Sequence, residues 1–259
     1  MSSFVRTTRA GSVATVVLDR PDKLNAMNLA MWRDLGAAVH ALSTDDALRC
    51  VVIRGAGDKA FAAGADIAAF ADERANEEQA RDYGREMIET MQAIDDCRHP
   101  TVALIHGVCV GGGLELAAMC DLRICGASAR FGIPIKRLGL VMAYGELRGL
   151  VNLVGPAVSL EILLEGRVFG AEEALQKGLV TRVVPDESLD REVAAAARRI
   201  AEGAPLVARW HKRFVRRLAD PTPLTAEERD EGYACFATED YRIGYRAFLE
   251  KTEPSFKGR

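Results

Sequence analysis

The stretch Gly111-Gly112-Gly113-Leu114-Glu115 lies between an apolar run, VALIHGVCV (102–110), and a helical pattern, LELAAMC (114–120). Glycines at such a junction let a substrate lie directly against the backbone. The first N–H groups of a helix have no internal partner and carry partial positive charge. The loop therefore favours binding of an oxyanion, with the Glu115 carboxylate about one helical turn away to move a proton. The alternative is a close-packed strand–helix junction whose carboxylate only complements the helix dipole.

A second segment, Phe61-Ala62-Ala63-Gly64-Ala65-Asp66-Ile67, has the same character. It follows a predicted strand (50–54), precedes a helical stretch, and offers small residues with free backbone donors. Two such loops could supply two N–H groups to one carbonyl oxygen, which is the minimum geometry of an oxyanion hole. This second loop favours the functional interpretation of the first.

The composition narrows the class of protein. The chain has 259 residues, 49% of them hydrophobic, which suits one globular domain or a domain with a helical appendage. Its formal net charge is −3, with acids and bases interspersed, so no nucleic-acid partner is expected. The amino terminus has no apolar core of signal-peptide length and no apolar run approaches a membrane span, so we expect a cytoplasmic protein without a membrane partner.

The six cysteines and four histidines favour no metal site. The cysteines are scattered, no CxxC pair occurs, and the histidines do not cluster. Buried, reduced thiols in a cytoplasmic protein are expected instead.

The first two-thirds of the chain alternate short β-branched runs with helical stretches, which is typical of an α/β core with helix-covered sheets. After about Gly145 the pattern is mainly helical. Strands are predicted at residues 13–19, 50–54, 101–110 and 122–125, with a brief apolar interruption at 180–184. Helices are predicted at residues 28–42, 79–96, 114–120, 189–202, 205–218, 225–236 and 240–250.

Several blocks, in order over nearly the whole chain, resemble the crotonase (enoyl-CoA hydratase/isomerase) superfamily. They are RPDKLNAMN (20–28), AAGADI (62–67), HG (106–107), GGGLELA (111–117), CDLR (120–123), FGIP (131–134), GAEEA (170–174), GLV (178–180) and AFLEK (247–251). The resemblance implies a spiral of ββα turns over residues 1–195. It also implies a C-terminal helical region, 196–259, that closes the site and contributes to a homotrimer or a dimer of trimers.

The resemblance also implies roles for particular residues. The N–H groups of Ala65 and Gly112 would form the oxyanion hole for an acyl-CoA thioester, and Glu115 would be the first catalytic carboxylate. Coenzyme A, as part of the substrate, would be the only cofactor-like group. Its binding residues would be Lys23, Leu24, Ala26, Ala63, Asp66, Ile67, Phe248 and Lys251.

The chain departs from the family pattern where a hydratase carries its second glutamate. Ile135 occupies that position, and an isoleucine can neither donate nor accept a proton. The following segment reads Ala143-Tyr144-Gly145-Glu146-Leu147 where the family often has Gly-Ala-Gly-Gly-Thr. Glu146 or Tyr144 is therefore a candidate for the missing acid. The alternative for Glu146 is an acid that only favours the start of a helix.

Three acyl-CoA reactions remain open. Hydration requires Glu115 and a replacement acid, double-bond isomerisation requires one base, and decarboxylation of a malonyl-type thioester requires chiefly the oxyanion hole and an apolar pocket. A non-catalytic acyl-CoA-binding scaffold is the alternative of another class. Glu115 argues against the scaffold and Ile135 argues for it.

Overall fold

The structure, a computed structural model, describes residues 4–259. Its strands are β1 (Val5–Ala10), β2 (Val13–Leu18), β3 (Cys50–Gly55), β4 (Ala60–Ala62), β5 (Thr101–Ile105), β6 (Val108–Val110), β7 (Leu122–Gly126), β8 (Arg130–Gly132), β9 (Phe169–Gly170) and β10 (Arg182–Val184). Its helices are α1 (Leu29–Thr44), α2 (Phe70–Glu73), α3 (Glu77–Asp96), α4 (Gly112–Met119), α5 (Tyr144–Glu165), α6 (Ala171–Gln176), α7 (Leu189–Glu202), α8 (Pro205–Arg217), α9 (Ala226–Asp230) and α10 (Glu239–Glu250).

The strands form two sheets. One has the order β1-β2-β3-β5-β7-β10, in which only the β1–β2 pair is antiparallel. The other has the order β4-β6-β8-β9, in which only the β8–β9 pair is antiparallel. The α/β class with largely parallel strands is thus confirmed.

Strand β3 shows why these strands read as continuous apolar runs. Val51 and Ile53 point into the main core, whereas Cys50 and Val52 point to the opposite face and pack with α7. A parallel strand covered on both faces buries every side chain, so polar residues do not alternate with apolar ones.

The prediction of one strand over residues 101–110 is wrong. The strand is interrupted at His106–Gly107. As a result, β5 belongs to the six-stranded sheet and β6 belongs to the four-stranded sheet. Gly107 has φ +52°, and a Cβ atom there would lie 2.0 Å from the carbonyl oxygen of Lys59. Only glycine fits this close approach in a left-handed conformation. The apolar run continues across the break, so periodicity gives no sign of it.

Helices α1 and α3 form one wall of the molecule beside the Gly111–Glu115 segment. Each begins at an asparagine, because the Asn28 side chain accepts the Met31 N–H and the Asn76 side chain accepts the Gln79 N–H, both at 3.0 Å. The two helices are joined across their buried faces by a hydrogen bond of 2.9 Å from Trp32 Nε1 to the Tyr83 hydroxyl.

Helix α5 differs from the expectation that no run approaches a membrane span. By length and composition alone it is long and apolar enough to cross a membrane, with a mean hydropathy of 1.5. The helix is interrupted at Gly155, with φ 75° and ψ 170°, and Pro156 follows. Leu150 and Ile162 are buried in the main core of the domain.

Helix α8 lies near the amino ends of β5 and β7. On α8, Lys212 and Arg216 each place a side-chain nitrogen 2.8 Å from an Asp121 carboxylate oxygen. Asp121 also accepts the Thr101 N–H at 2.7 Å, which fixes the start of β5.

The α-helix predicted over residues 225–236 is shorter than expected. After α9 the chain forms a 3₁₀ helix, Glu231–Ala237, which contains the poor helix former Gly232.

Candidate active site

The two glycine-containing loops meet in the fold. A Cβ atom on Gly64, which has φ +93°, would lie 3.1 Å from the Val110 carbonyl oxygen and 3.6 Å from the Gly112 nitrogen. The Gly64 loop is held by Met27, whose N–H donates to the Gly64 carbonyl at 2.7 Å and whose carbonyl accepts the Asp66 N–H at 2.8 Å. Ala65 lies between Gly64 and Asp66, the two residues that bond to Met27. The Ala65 N–H itself takes part in no backbone hydrogen bond of this bridge.

The N–H groups of Ala65 and Gly112 are available to a ligand. Within residues 4–259 neither donates a hydrogen bond, and both residues line one cavity. Gly112 is the first residue of α4, so its N–H also carries the positive end of the helix dipole. Two free donors on adjacent loops are the arrangement that an oxyanion hole requires.

Close packing of α4 places the Gly112 amide. A Cβ atom on Gly113 would lie 2.3 Å from the Ala62 carbonyl oxygen, so the helix can approach β4 this closely only with glycine there. A Cβ atom on Gly112 itself would lie 3.4 Å from Cζ2 of Trp32. The glycine run therefore brings the helix start against β4.

The cavity has a volume of about 1140 Å³, enough for a ligand of substantial size. Its wall combines the two oxyanion donors, several acidic and arginine side chains, most of them exposed at the rim, and apolar side chains. The members used below are Trp32, Ala65, Phe70, Arg74, Tyr83, Gly112, Glu115, Ile135 and Glu146.

Glu115 is a desolvated carboxyl group in this cavity. The residue is 5% exposed, and burial raises the pKa of its carboxyl to about 8. The negative charge of Glu146 contributes to this rise, and the positive charge of Arg74 acts in the opposite direction. A carboxyl with a pKa near working pH can both give and take a proton.

Glu146 lies on the wall of the same cavity. Its Oε2 accepts the Ala143 N–H at 3.0 Å at the start of α5, and burial raises the pKa of its carboxyl. The helix-start interpretation is therefore compatible with a chemical role, because a half-buried carboxylate fixed by a backbone donor still faces the cavity.

Tyr144 and Ile135 are placed differently. Tyr144 is 95% exposed and does not line the cavity, so the structure does not bring it to Glu115. Ile135 lines the cavity and gives this part of the wall an apolar surface.

Asp66 and Lys23 form a network that the sequence did not reveal. Asp66 is 9% exposed, and its Oδ2 lies 2.8 Å from Arg20 Nη2 and 3.0 Å from Lys23 Nζ. Hydrogen bonding from Arg20, and then from Lys23, lowers the pKa of Asp66 against the opposing effect of burial. Arg20 also donates to the Ala26 carbonyl at 2.6 Å, so it ties the 20–26 segment to the Ala65 loop. The only sequence sign of this role is that Arg20 begins the RPDKLNAMN block.

The other predicted coenzyme A residues divide into two groups. Ala63 and Ile67 line the cavity, and the Ala63 N–H donates to the Leu24 carbonyl at 3.0 Å, which brings the 23–26 segment alongside. Phe248, which is 84% exposed, and Lys251 lie at the end of α10. No residue of the 196–259 region lines this cavity in the described chain, so a contact of Phe248 and Lys251 with coenzyme A stays a prediction.

The described cysteines and acidic groups give no metal centre. All six cysteines are free thiols, and five of them are buried. Across residues 4–259, no group of three or more His, Cys, Asp or Glu side chains is placed to hold a metal ion. A metal-free reaction stays a prediction.

Comparisons with known proteins identify the family of the chain. A sequence model of the enoyl-CoA hydratase/isomerase family matches residues 8–259. A crotonyl-CoA hydratase of Syntrophomonas wolfei is 36% identical over 94% of each chain, and a carnitinyl-CoA dehydratase of Salmonella arizonae is 33% identical over 100% of each. The crystal structure of an enoyl-CoA hydratase/carnithine racemase from Magnetospirillum magneticum superposes with a TM-score of 0.98, at 49% identity, over 100% of this chain and 97% of that one. The chain therefore belongs to the enoyl-CoA hydratase/isomerase family of the crotonase superfamily.

Proposed function

We propose that this protein, an acyl-CoA-processing enzyme of the hydratase/isomerase type, adds water reversibly to the double bond of a 2-enoyl-CoA. The observation that carries the proposal is the meeting of Glu115, Glu146 and the free N–H groups of Ala65 and Gly112 in one cavity. Relatives named as a crotonyl-CoA hydratase and a carnitinyl-CoA dehydratase support the same class of reaction.

The environments of the two carboxyls assign their roles. Glu115 is the more buried and holds its proton up to about pH 8, so it is the acid that protonates the carbon beside the thioester. Glu146 is more accessible and accepts a proton from the attacking water. In the reverse direction Glu115 removes that α-proton and Glu146 protonates the leaving hydroxide.

The proton and electron balance follows from these roles. Water oxygen bonds to the β-carbon as Glu146 takes its proton, and the π electrons of the double bond move to the thioester oxygen. The N–H groups of Ala65 and Gly112 stabilise the resulting enolate, to which each donor contributes about 3 kcal/mol. The enolate then takes the Glu115 proton at the α-carbon. Transfer of the proton on Glu146 to Glu115 restores the starting state.

Isomerisation is the second candidate, and two observations favour it. Ile135 makes part of the wall apolar, and Glu146 is already engaged by the Ala143 N–H. In this reaction Glu115 alone moves a proton between carbons on the two sides of the double bond.

No specific feature of the cavity favours decarboxylation. A non-catalytic scaffold does not account for a desolvated Glu115 beside two free donors.

Turnover of crotonyl-CoA tests the proposal, followed by the loss of absorbance of the conjugated thioester. We expect Glu115→Gln and Glu146→Gln each to lower kcat at least about 100-fold. Tyr144→Phe and Glu89→Gln serve as controls, since Tyr144 lies outside the cavity and Glu89 is an exposed acid at its rim. Both should retain wild-type turnover.

Exchange of the α-hydrogen with solvent deuterium separates the alternatives. If Glu146→Gln keeps full hydration, the two-carboxylate mechanism is wrong. If the wild type exchanges the α-hydrogen but never hydrates, isomerisation becomes the better assignment. If it neither hydrates nor exchanges any bound acyl-CoA, the protein is a scaffold.

We further propose assembly into a homotrimer or a dimer of trimers, with Phe248 and Lys251 reaching coenzyme A in a neighbouring subunit. Support comes from the exposed aromatic side chains of the C-terminal helices: Tyr233, Phe236, Tyr241, Tyr245 and Phe248. Sedimentation analysis gives the stoichiometry, and a monomer would overturn this assignment.

The six free thiols support a cytoplasmic location.

A further inference from the structure

Arg74 is a cation inside the substrate cavity. It follows α2, and its guanidinium carbon lies 3.5 Å from the centroid of the Tyr83 ring and 5.0 Å from that of Phe70. The two rings hold the guanidinium plane by cation–π contact. Its charge lowers the pKa of both Glu115 and Glu146, so it acts on the same space as the two carboxyls.

Arg74 has no anionic partner among residues 4–259. It forms no ion pair, and its Nε is shielded from solvent without a hydrogen-bond acceptor. Two neighbouring cations on the wall differ, because Arg81 pairs with Glu77 and Arg85 pairs with Asp82 on exposed faces of α3. A third, Arg137, is exposed to solvent. A shielded N–H without an acceptor is costly, and the Tyr83 hydroxyl that also interacts with the guanidinium is neutral. The half-buried Arg74 charge is therefore left for an anionic ligand.

The position of Arg74 relative to the oxyanion donors sets where that acceptor lies. Tyr83 contacts the guanidinium, its hydroxyl accepts the Trp32 Nε1 hydrogen, and Trp32 lies against Gly112. Two aromatic side chains thus separate the guanidinium from the amide that would hold the thioester oxygen. A group bound by Arg74 lies in the cavity with Glu115 and Glu146, on both of which the Arg74 charge acts, and so belongs to the acyl part that these carboxyls face.

We propose that Arg74 binds a terminal carboxylate of the acyl group, so that the preferred substrates are coenzyme A thioesters of short dicarboxylic acids. This rests on the proposed acyl-CoA function. A guanidinium presents paired N–H donors that match a carboxylate, and the pair is strong when partly desolvated. Arg74 also offsets the repulsion that the charges of Glu115 and Glu146 would exert on a second anion.

The test compares two ligands of equal carbon number that do not react. Glutaryl-CoA carries a terminal carboxylate and pentanoyl-CoA carries a methyl group in its place. Their dissociation constants are measured by calorimetry on wild type, Arg74→Met, Arg74→Lys and Arg81→Met. Arg81→Met is the matched control, because it removes one positive charge from the same wall at an exposed, paired position.

We expect wild type to bind glutaryl-CoA at least as tightly as pentanoyl-CoA. Arg74→Met should weaken glutaryl-CoA binding about 10- to 100-fold and pentanoyl-CoA binding less than about threefold. Arg74→Lys should recover part of the loss, and Arg81→Met should affect both ligands equally. Equal losses for both ligands in Arg74→Met, or a wild-type preference for pentanoyl-CoA, would overturn the proposal.

The outcome is independent of turnover. A protein that prefers glutaryl-CoA through Arg74 but never hydrates or exchanges a thioester contradicts the proposed reaction and leaves the carboxylate site standing. A protein that hydrates crotonyl-CoA but shows no Arg74-dependent preference leaves the reaction standing and removes the carboxylate site.

Discussion

The Glu115 and Glu146 carboxyls face one cavity, and the charge of Glu146 adds to burial in raising the pKa of Glu115 to about 8. The ionisation of Glu115 therefore depends on Glu146, because a negative charge on Glu146 disfavours a second negative charge on Glu115. Burial keeps the proton on Glu115 at neutral pH, and the proposed hydration uses this proton together with an ionised Glu146.

Removing the Glu146 charge and removing the Arg74 charge should shift the pKa of Glu115 in opposite directions. Exchange of the α-hydrogen of bound butyryl-CoA requires ionised Glu115, so its rate should rise with pH to a plateau with an apparent pKa of about 8. Glu146→Gln removes a negative charge and should move this limb to lower pH. Arg74→Met removes a positive charge and should move it to higher pH. Movement in the same direction in both variants would contradict the electrostatic assignment.

Glu115 should make the protein less stable as the pH rises. Its pKa is about 8 when folded against a reference value of 4.5, so the folded state binds more protons between these limits and the free energy of unfolding falls with pH there. Glu115→Gln removes this dependence. We expect the variant to be more stable than wild type by a few kcal/mol at pH 8 and equally stable near pH 4.5. Urea unfolding at both pH values measures the difference, and a gap independent of pH would refute the linkage.

Gly112→Pro should remove one oxyanion donor while leaving the helix start intact. Proline is tolerated at the first position of a helix, where its missing N–H has no helical partner. Loss of one donor should lower kcat about 100- to 1000-fold. Gly112→Ala is the matched control, since it adds a Cβ atom 3.4 Å from Trp32 but keeps the N–H. Steady-state kinetics on crotonyl-CoA should show the large loss only for proline, and equal losses would mean that bulk, not the N–H, matters.

Gly107→Ala should destabilise the fold where the chain changes sheets. The new Cβ atom would lie 2.0 Å from the Lys59 carbonyl oxygen at φ +52°. Gly57→Ala has a similar φ of +75° but meets no atom within 4 Å, so it should lose only about 1 kcal/mol through backbone strain. Thermal unfolding should rank Gly107→Ala well below Gly57→Ala. Similar melting temperatures would show that the close contact is relieved easily.

The loop glycines were the features most visible in the sequence. A glycine run between an apolar strand and a helix predicts a close backbone approach such as that of Gly113 to Ala62, where a Cβ atom would lie 2.3 Å from the carbonyl oxygen. The break at Gly107 was not predicted, since burial on both sides keeps the apolar pattern unbroken across it. Local patterns therefore located the loops but not the change of sheet.

Contacts between residues far apart in the chain could not be predicted from the sequence. Arg20 and Asp66 are 46 residues apart, and nothing in the charge pattern of either segment pairs them. Arg74 lies among many charged residues, so its position inside the cavity depends on how α2 and α3 pack against Trp32. Tyr144 and Glu146 looked equivalent in sequence, yet a helix turns their side chains to different faces.

The bridge between Met27 and the Ala65 loop holds the Ala65 amide in a fixed orientation. Backbone bonds and the Arg20–Asp66 ion pair orient the Ala65 amide before any ligand arrives, so its dipole need not reorganise when charge develops. Preorganisation is thereby built during folding, in part by Arg20 and Met27, which do not line the cavity. A weakened Arg20 anchor would leave the wall of the cavity chemically unchanged and yet slow each turnover, because part of every activation barrier would then be spent on aligning the amide.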